Sequence, residues 1–233
     1  MNIEYFLQNM ASCVKMTKSD VADLQKKEIA KRIYDEKIII KRLEKEFWHG
    51  LKTQADFSEF QKRTKFILKN YGTAIACNRF DVGNSIEFLF ADTLRQYIPN
   101  DLIREEPNAK RVDIVVNNLQ ISIKYSSSGN IKIHNSLGEN KDKAMITTLL
   151  ITPNKIYLLS KSILKEYDIT LTEYLVDTKD GLQLKRSLLT RLNKIKDFNY
   201  GINIDISITE CNNMLTSRVF YEAAMKQYDD LHN

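Results

Sequence analysis

The chain has 233 residues, 43% of them hydrophobic, enough to bury a sizeable core as one large domain, and no run approaches the roughly 18 apolar residues of a membrane-crossing helix. The opening MNIEYFLQNM carries Glu4 and lacks a basic leader, so no signal peptide is expected, and Cys13, Cys77 and Cys211, odd in number and without CxxC spacing, predict reduced thiols in a cytoplasmic protein without structural zinc. Net charge is a modest +5, yet residues 1–80 hold 16 Lys and Arg against 10 Asp and Glu, a local excess of +6 that suits contacts to phosphate as well as a solvated helix face.

In chain order, the first third reads as helical. Val21, Leu24, Ile33, Ile40, Leu43 and Phe47 recur at helical spacing over residues 20–48, which predicts one long amphipathic helix or two joined ones. Such a stripe ordinarily faces a core, although these helices could also pack on a partner subunit or grip DNA. Asp56 with Glu59 has the spacing of a capping box for a second helix, bearing Phe57, Phe60, Ile67 and Leu68 and stopped at Gly72. A third helix is expected to open at Gly83-Asn84-Ser85-Ile86-Glu87, with apolar positions Ile86, Leu89, Phe90, Leu94 and Tyr97 and a stop at Pro99. Glu87 then falls in its first turn, where it could cap the helix with Asn84.

Residues 111–125, RVDIVV-NN-LQISIKY, form two alternating runs around Asn117-Asn118, which predicts a β-hairpin with a two-residue turn because Asn tolerates the positive φ required. Counting back from the turn pairs Val116 with Leu119, Val115 with Gln120, Ile114 with Ile121, Asp113 with Ser122, Val112 with Ile123 and Arg111 with Lys124. Cross-strand partners share a face. One face is then wholly apolar, Val112, Ile114, Val116, Leu119, Ile121 and Ile123; the other carries Arg111, Asp113, Gln120, Ser122 and Lys124. Arg111 opposite Lys124 places like charges together, a conflict that an anion between them would relieve.

This constellation resembles the core of the PD-(D/E)xK nuclease superfamily, in which an Asp on one strand and an (E/D)xK tripeptide on the next hold a divalent metal over a phosphodiester. Asp113 matches the Asp, and Ser122-Ile123-Lys124 matches the tripeptide. Val112 replaces the name-giving proline, and Ser122 replaces the second acid. The resemblance implies an α/β (mixed α+β) fold with a central mixed sheet flanked by helices. It further implies Asp113 as central Mg²⁺ ligand, the Ile123 carbonyl as another, and Lys124 as the group that orients or deprotonates the attacking water. Mg²⁺ needs few carboxylates and keeps several waters, and it assists phosphodiester hydrolysis by neutralising charge and generating hydroxide. Ser122 leaves the site one acid short, and both Glu87 and Glu139 are candidates to supply it.

Past the hairpin, Ser126, Ser127, Ser128 and Asn130 precede a short alternating strand at residues 131–135. Small polar residues following the lysine lie against DNA in many restriction endonucleases, so Ser126, Ser127, Ser128, Asn130, Lys132 and Asn135, with Arg111, are expected DNA contacts. Residues 155–160 read as a strand, 182–195 as a helix, 202–208 as a strand and 213–231 as a last helix. His49, His134 and His232 are scattered, and no GxxxxGK[ST], GxGxxG or GxSxG element is present, which argues against zinc, NTP-driven and serine-hydrolase chemistry.

The expectation is therefore a single domain over 1–233. Residues 1–80 would form a helical part for dimerisation or DNA gripping, and residues 83–135 the catalytic segment. By resemblance it is a Mg²⁺-dependent type II restriction endonuclease acting on double-stranded DNA as a homodimer, paired with a DNA methyltransferase for the same site. A branched-DNA resolvase or repair nuclease of the same core, and a non-catalytic nucleic-acid-binding protein, are the alternatives.

Overall fold

Asn117 and Asn118 both adopt positive φ, 46° and 67°, which is the type I′ geometry whose twist matches that of paired strands. They join β2 (Ile114–Val116) to β3 (Leu119–Tyr125) in the counted register, Val116 with Leu119, Val115 with Gln120 and Ile114 with Ile121. The ladder stops there: the Asp113 amide bonds to the Ile121 carbonyl at 3.0 Å and the Ile123 amide goes to the Asp113 carboxylate, so the expected pairs Asp113 with Ser122 and Val112 with Ile123 are not part of it. Asn118→Ala is expected to lower stability by about 1 kcal/mol, since a Cβ without a polar head is disfavoured in the left-handed region; a urea melt checks it.

In this computed structural model the described residues are 18–70, 76–105, 112–128, 131–134, 146–178, 181–208 and 218–232. Arg111, Asn130, Asn135, Glu139 and the helix stop expected at Gly72 lie outside them, as does the start of the last predicted helix. By its contacts the chain divides into two units, Met1–Leu43 and Glu44–Asn233.

The hairpin belongs to a six-stranded mixed sheet ordered β1 (Ile103–Glu105), β2, β3, β5 (Thr147–Ile151), β6 (Lys155–Leu159) and β9 (Gly201–Asn203). Only β3 and β5 run parallel. A three-stranded antiparallel sheet is formed by β4 (Ile131–His134), β8 (Gly181–Leu184) and β7 (Leu175–Thr178). Leu150, Tyr157 and Leu159 of the large sheet share a core with Ile131, Leu182 and Leu184 of the small one. That core also takes residues from α4 (Lys161–Lys165) and α5 (Ser187–Lys194).

Helix α1 (Lys18–Gln54) is continuous, and α2 (Ser58–Asn70), α3 (Ala76–Tyr97) and α6 (Arg218–His232) are further helices among the described residues. In the second unit Phe57 stacks on Phe90, and Phe60 meets Phe90 edge-on at 5.2 Å, which locks α2 to α3. Glu44 is only 1% exposed, its carboxylate taking hydroxyl bonds from Thr147 at 2.7 Å and from Ser162. In the first unit Leu24, Ile33 and Ile40 are exposed, so the expected core stripe is not buried there. No helix among the described residues is long and apolar enough to cross a membrane.

Four further expectations are corrected. Helix α3 is already formed at Ala76, which puts Glu87 in its interior and leaves Asn84 no cap to form; Gly83 is carried inside the helix, where a glycine costs about 1 kcal/mol against Ala. The Asp56–Glu59 capping box is half made. Asp56 accepts from the Ser58 amide at 2.9 Å, but its own amide donates to the Tyr97 hydroxyl, and Glu59 is taken by Arg63 at 2.7 Å. The predicted helix over 182–195 divides into strand β8 and helix α5. The strand predicted over 202–208 is β9 alone, after which Ile204 and Ile206 bond back to Asn154 and Pro153.

Candidate active site

The Asn-Asn turn brings the Asp113 carboxylate to the Ser122 and Lys124 side chains, and α3, packed against β3, brings Glu87 to Lys124. Asp113 Oδ2 accepts from the Ile123 amide at 2.6 Å and from Ser122 Oγ at 2.9 Å. The carboxylate is thereby fixed by the residue that replaces the expected second acid. Ser122 is 6% exposed, so its hydroxyl is spent on positioning Asp113.

Lys124 reaches three oxygens: Ile123 O at 2.8 Å, Glu87 Oε2 at 3.2 Å and Asp113 Oδ2 at 3.3 Å. Glu87 Oε1 also takes the Tyr125 amide at 3.3 Å. A backbone carbonyl and two carboxylates thus converge on one cation in a partly enclosed setting, the side chains of Lys124, Glu87 and Asp113 being 27%, 18% and 37% exposed. Glu87, one of the two candidates for the missing acid, is in contact with Lys124; the other, Glu139, lies outside the described residues.

Burial pushes Glu87 up to about 7 against the pull of Lys124, with the Asp113 charge adding to the rise. Burial would lower Lys124, but the Glu87 and Asp113 carboxylates outweigh it and hold the ammonium above its ordinary value. Folded Glu87 therefore binds its proton more tightly than the unfolded chain does. Its contribution to stability is full below the unfolded value of 4.5 and declines as pH rises through about 7. Metal-free protein is expected to lose stability over that window, and Glu87→Gln is expected to flatten the profile; chemical melts at several pH values check both.

Among the described residues no group of three or more His, Cys, Asp and Glu side chains gathers as a metal cluster. A hard cation that keeps several waters needs only one or two carboxylates. The Glu87 and Asp113 carboxylates with the Ile123 carbonyl meet that need, since all three already face a single positive charge.

Next to the lysine, Ser126, Ser127 and Ser128 line a groove of about 370 Å³ whose other walls include Lys155, Tyr157, Arg186 and Asn193. The serines were expected to contact a ligand; the other four were not, because nothing local in sequence joins β6 and α5 to residues 126–128. Lys132 lies in β4, paired with Gln183 of β8, and is not among the groove's lining residues.

No family model and no curated protein matches the sequence. Among solved structures, the chain is similar to one described as a restriction endonuclease in complex with substrate DNA, with a TM-score of 0.45 and 14% identity over 87% of this chain and 97% of that one.

Proposed function

We propose that the protein is a Mg²⁺-dependent endonuclease of double-stranded DNA, of the PD-(D/E)xK kind that its hairpin resembles. The observation that carries this reading is the convergence of Glu87, Asp113 and the Ile123 carbonyl on Lys124. An ordinary solvated hairpin has no need to gather two carboxylates, one with its acidity shifted to near neutrality by burial, and perturbed groups in such a cluster point to chemistry.

Glu87, Asp113 and the Ile123 carbonyl would hold the Mg²⁺. Bound there, it supplies neutralisation of the phosphate and a hydroxide at neutral pH. Asp113 is kept in one orientation by the Ile123 amide and Ser122 Oγ, so little reorganisation is needed when substrate arrives. The Lys124 ammonium, held in its charged form by two carboxylates, is suited to orient the attacking water and to face the charge that develops on the phosphate. It is poorly suited to remove a proton.

A homodimer belongs to the same proposal, because two-fold protein symmetry matches a palindromic site; apolar residues left exposed on α1, Ile29 at 57% among them, support it. Cytoplasmic location and a methyltransferase guarding the same site follow from the restriction role. The test is incubation of purified protein with plasmid and phage DNA in Mg²⁺ and in EDTA, resolved on a gel. Discrete fragments in Mg²⁺ alone are expected; DNA intact under every condition, Mn²⁺ included, would sink the reading. Cutting confined to branched DNA would move the chain to the resolvase class.

A further inference from the structure

The groove beside the lysine takes part in none of the chemistry above, yet its lining is unusual for a surface that is otherwise mixed in charge. Lys155 and Arg186 are joined there by Ser, Thr and Asn side chains, without an Asp or Glu among the lining residues.

The acid-free groove is also built. Lys155 Nζ lies over the Tyr157 ring at 5.6 Å, and a Cβ at Gly201 would come within 2.8 Å of the Lys155 side chain, so the glycine leaves room for that chain to lie across β9. The Tyr157 hydroxyl donates to Asn193 Oδ1 at 2.9 Å, which leaves the Asn193 amide nitrogen as a donor for other partners. Cation and amide thus both present donors to the same space.

Sheet register fixes where this space lies relative to Lys124. Lys124 pairs with Leu150, and Leu150 pairs with Tyr157, so the three stand in one row on one face of β3, β5 and β6. Neighbouring strands are about 4.8 Å apart, which sets Tyr157 about 10 Å from Lys124. The groove therefore lies within a few nucleotide steps of Lys124 along one bound strand.

We propose that this groove seats the phosphodiester backbone of the DNA strand flanking the cut, with Lys155 and Arg186 as its cations and Asn193 as a neutral donor. It serves as a binding and register-setting site, separate from the residues that act on the scissile phosphate. The inference rests on the nuclease reading and adds to it the path of the substrate.

The test is duplex binding by fluorescence anisotropy across a salt series without divalent metal, for the unaltered protein, Lys155→Gln and Thr190→Glu. Thr190 lines the groove on the exposed side of α5, so an acid there opposes phosphate without touching the core. Both variants should keep the native circular dichroism and bind several-fold more weakly. Lys155→Gln should in addition lower the slope of log affinity against log salt by about one. Unchanged affinity and slope in both folded variants, with the unaltered protein still binding and cutting DNA, would discard the groove and keep the nuclease. An unaltered protein that neither binds nor cuts DNA would remove both.

Discussion

Asp113→Asn is expected to reduce DNA cleavage by about three orders of magnitude, because the ligand role is worth several kcal/mol and each 1.36 kcal/mol is tenfold. Asn is the informative replacement. Its amide oxygen can still accept from the Ile123 amide and Ser122 Oγ, the two groups that position the native carboxylate, so the hairpin is kept while the negative charge is lost. Duplex binding without metal should persist or tighten slightly, since one acid facing the phosphates has gone. Single-turnover cleavage beside anisotropy separates the two effects. Native cleavage rates in Asp113→Asn would remove the carboxylate from the chemistry altogether.

Lys124→Ala is expected to cost about 10²–10³-fold in cleavage, the range for a preorganised group that faces charge developing in the transition state. It should also change stability in a way that depends on metal. Without the ammonium, Glu87 and Asp113 face each other across the position it now holds at 3.2 and 3.3 Å, at a cost of roughly 1–3 kcal/mol. In a chain of this size that lowers the melting temperature by about 2–4 °C per kcal/mol. Mg²⁺ should restore more stability to this variant than to the unaltered protein, because no built-in cation competes for the carboxylates. Thermal melts with Mg²⁺ and with EDTA read this out, and an equal Mg²⁺ response in both proteins would count against the shared-oxygen arrangement.

The pairs nearest the turn, Val116 with Leu119, Val115 with Gln120 and Ile114 with Ile121, were legible because Asn117-Asn118 marks the turn; the pairs counted beyond them were not formed at Asp113, whose carboxylate takes the Ile123 amide. Glu87 was legible as one of two acids to bring beside Lys124, with Glu139 the other, but its place in the helix was not. Gly83-Asn84-Ser85 imitates a helix start, and tertiary packing carries α3 through it. Residues 182–195 read as one helix; Leu182 and Leu184 lie instead in a short buried strand, which periodicity alone does not separate from a buried helix segment. Strand β5, Thr147–Ile151, is buried at every position and so lacks alternation to betray it. The groove was hidden for a different reason: Lys155, Arg186 and Asn193 meet Ser126 only through the pairing of β3, β5 and β6.

The two-residue turn also bears on the order in which the molecule assembles. Asp113 and Lys124 are 11 residues apart and closed by a tight hairpin, a unit of the sort that forms in about 1–10 μs. The parallel pairing of Ile121 with Thr147 has to wait for the intervening chain to close on itself, and non-local parallel pairing is intrinsically slow. Asp113, Ser122 and Lys124 can therefore meet early, as a local nucleus, before the floor of the sheet exists. Glu87, 37 residues from Lys124, joins as α3 docks, so the site gains its second carboxylate only once the surrounding protein is in place to bury it.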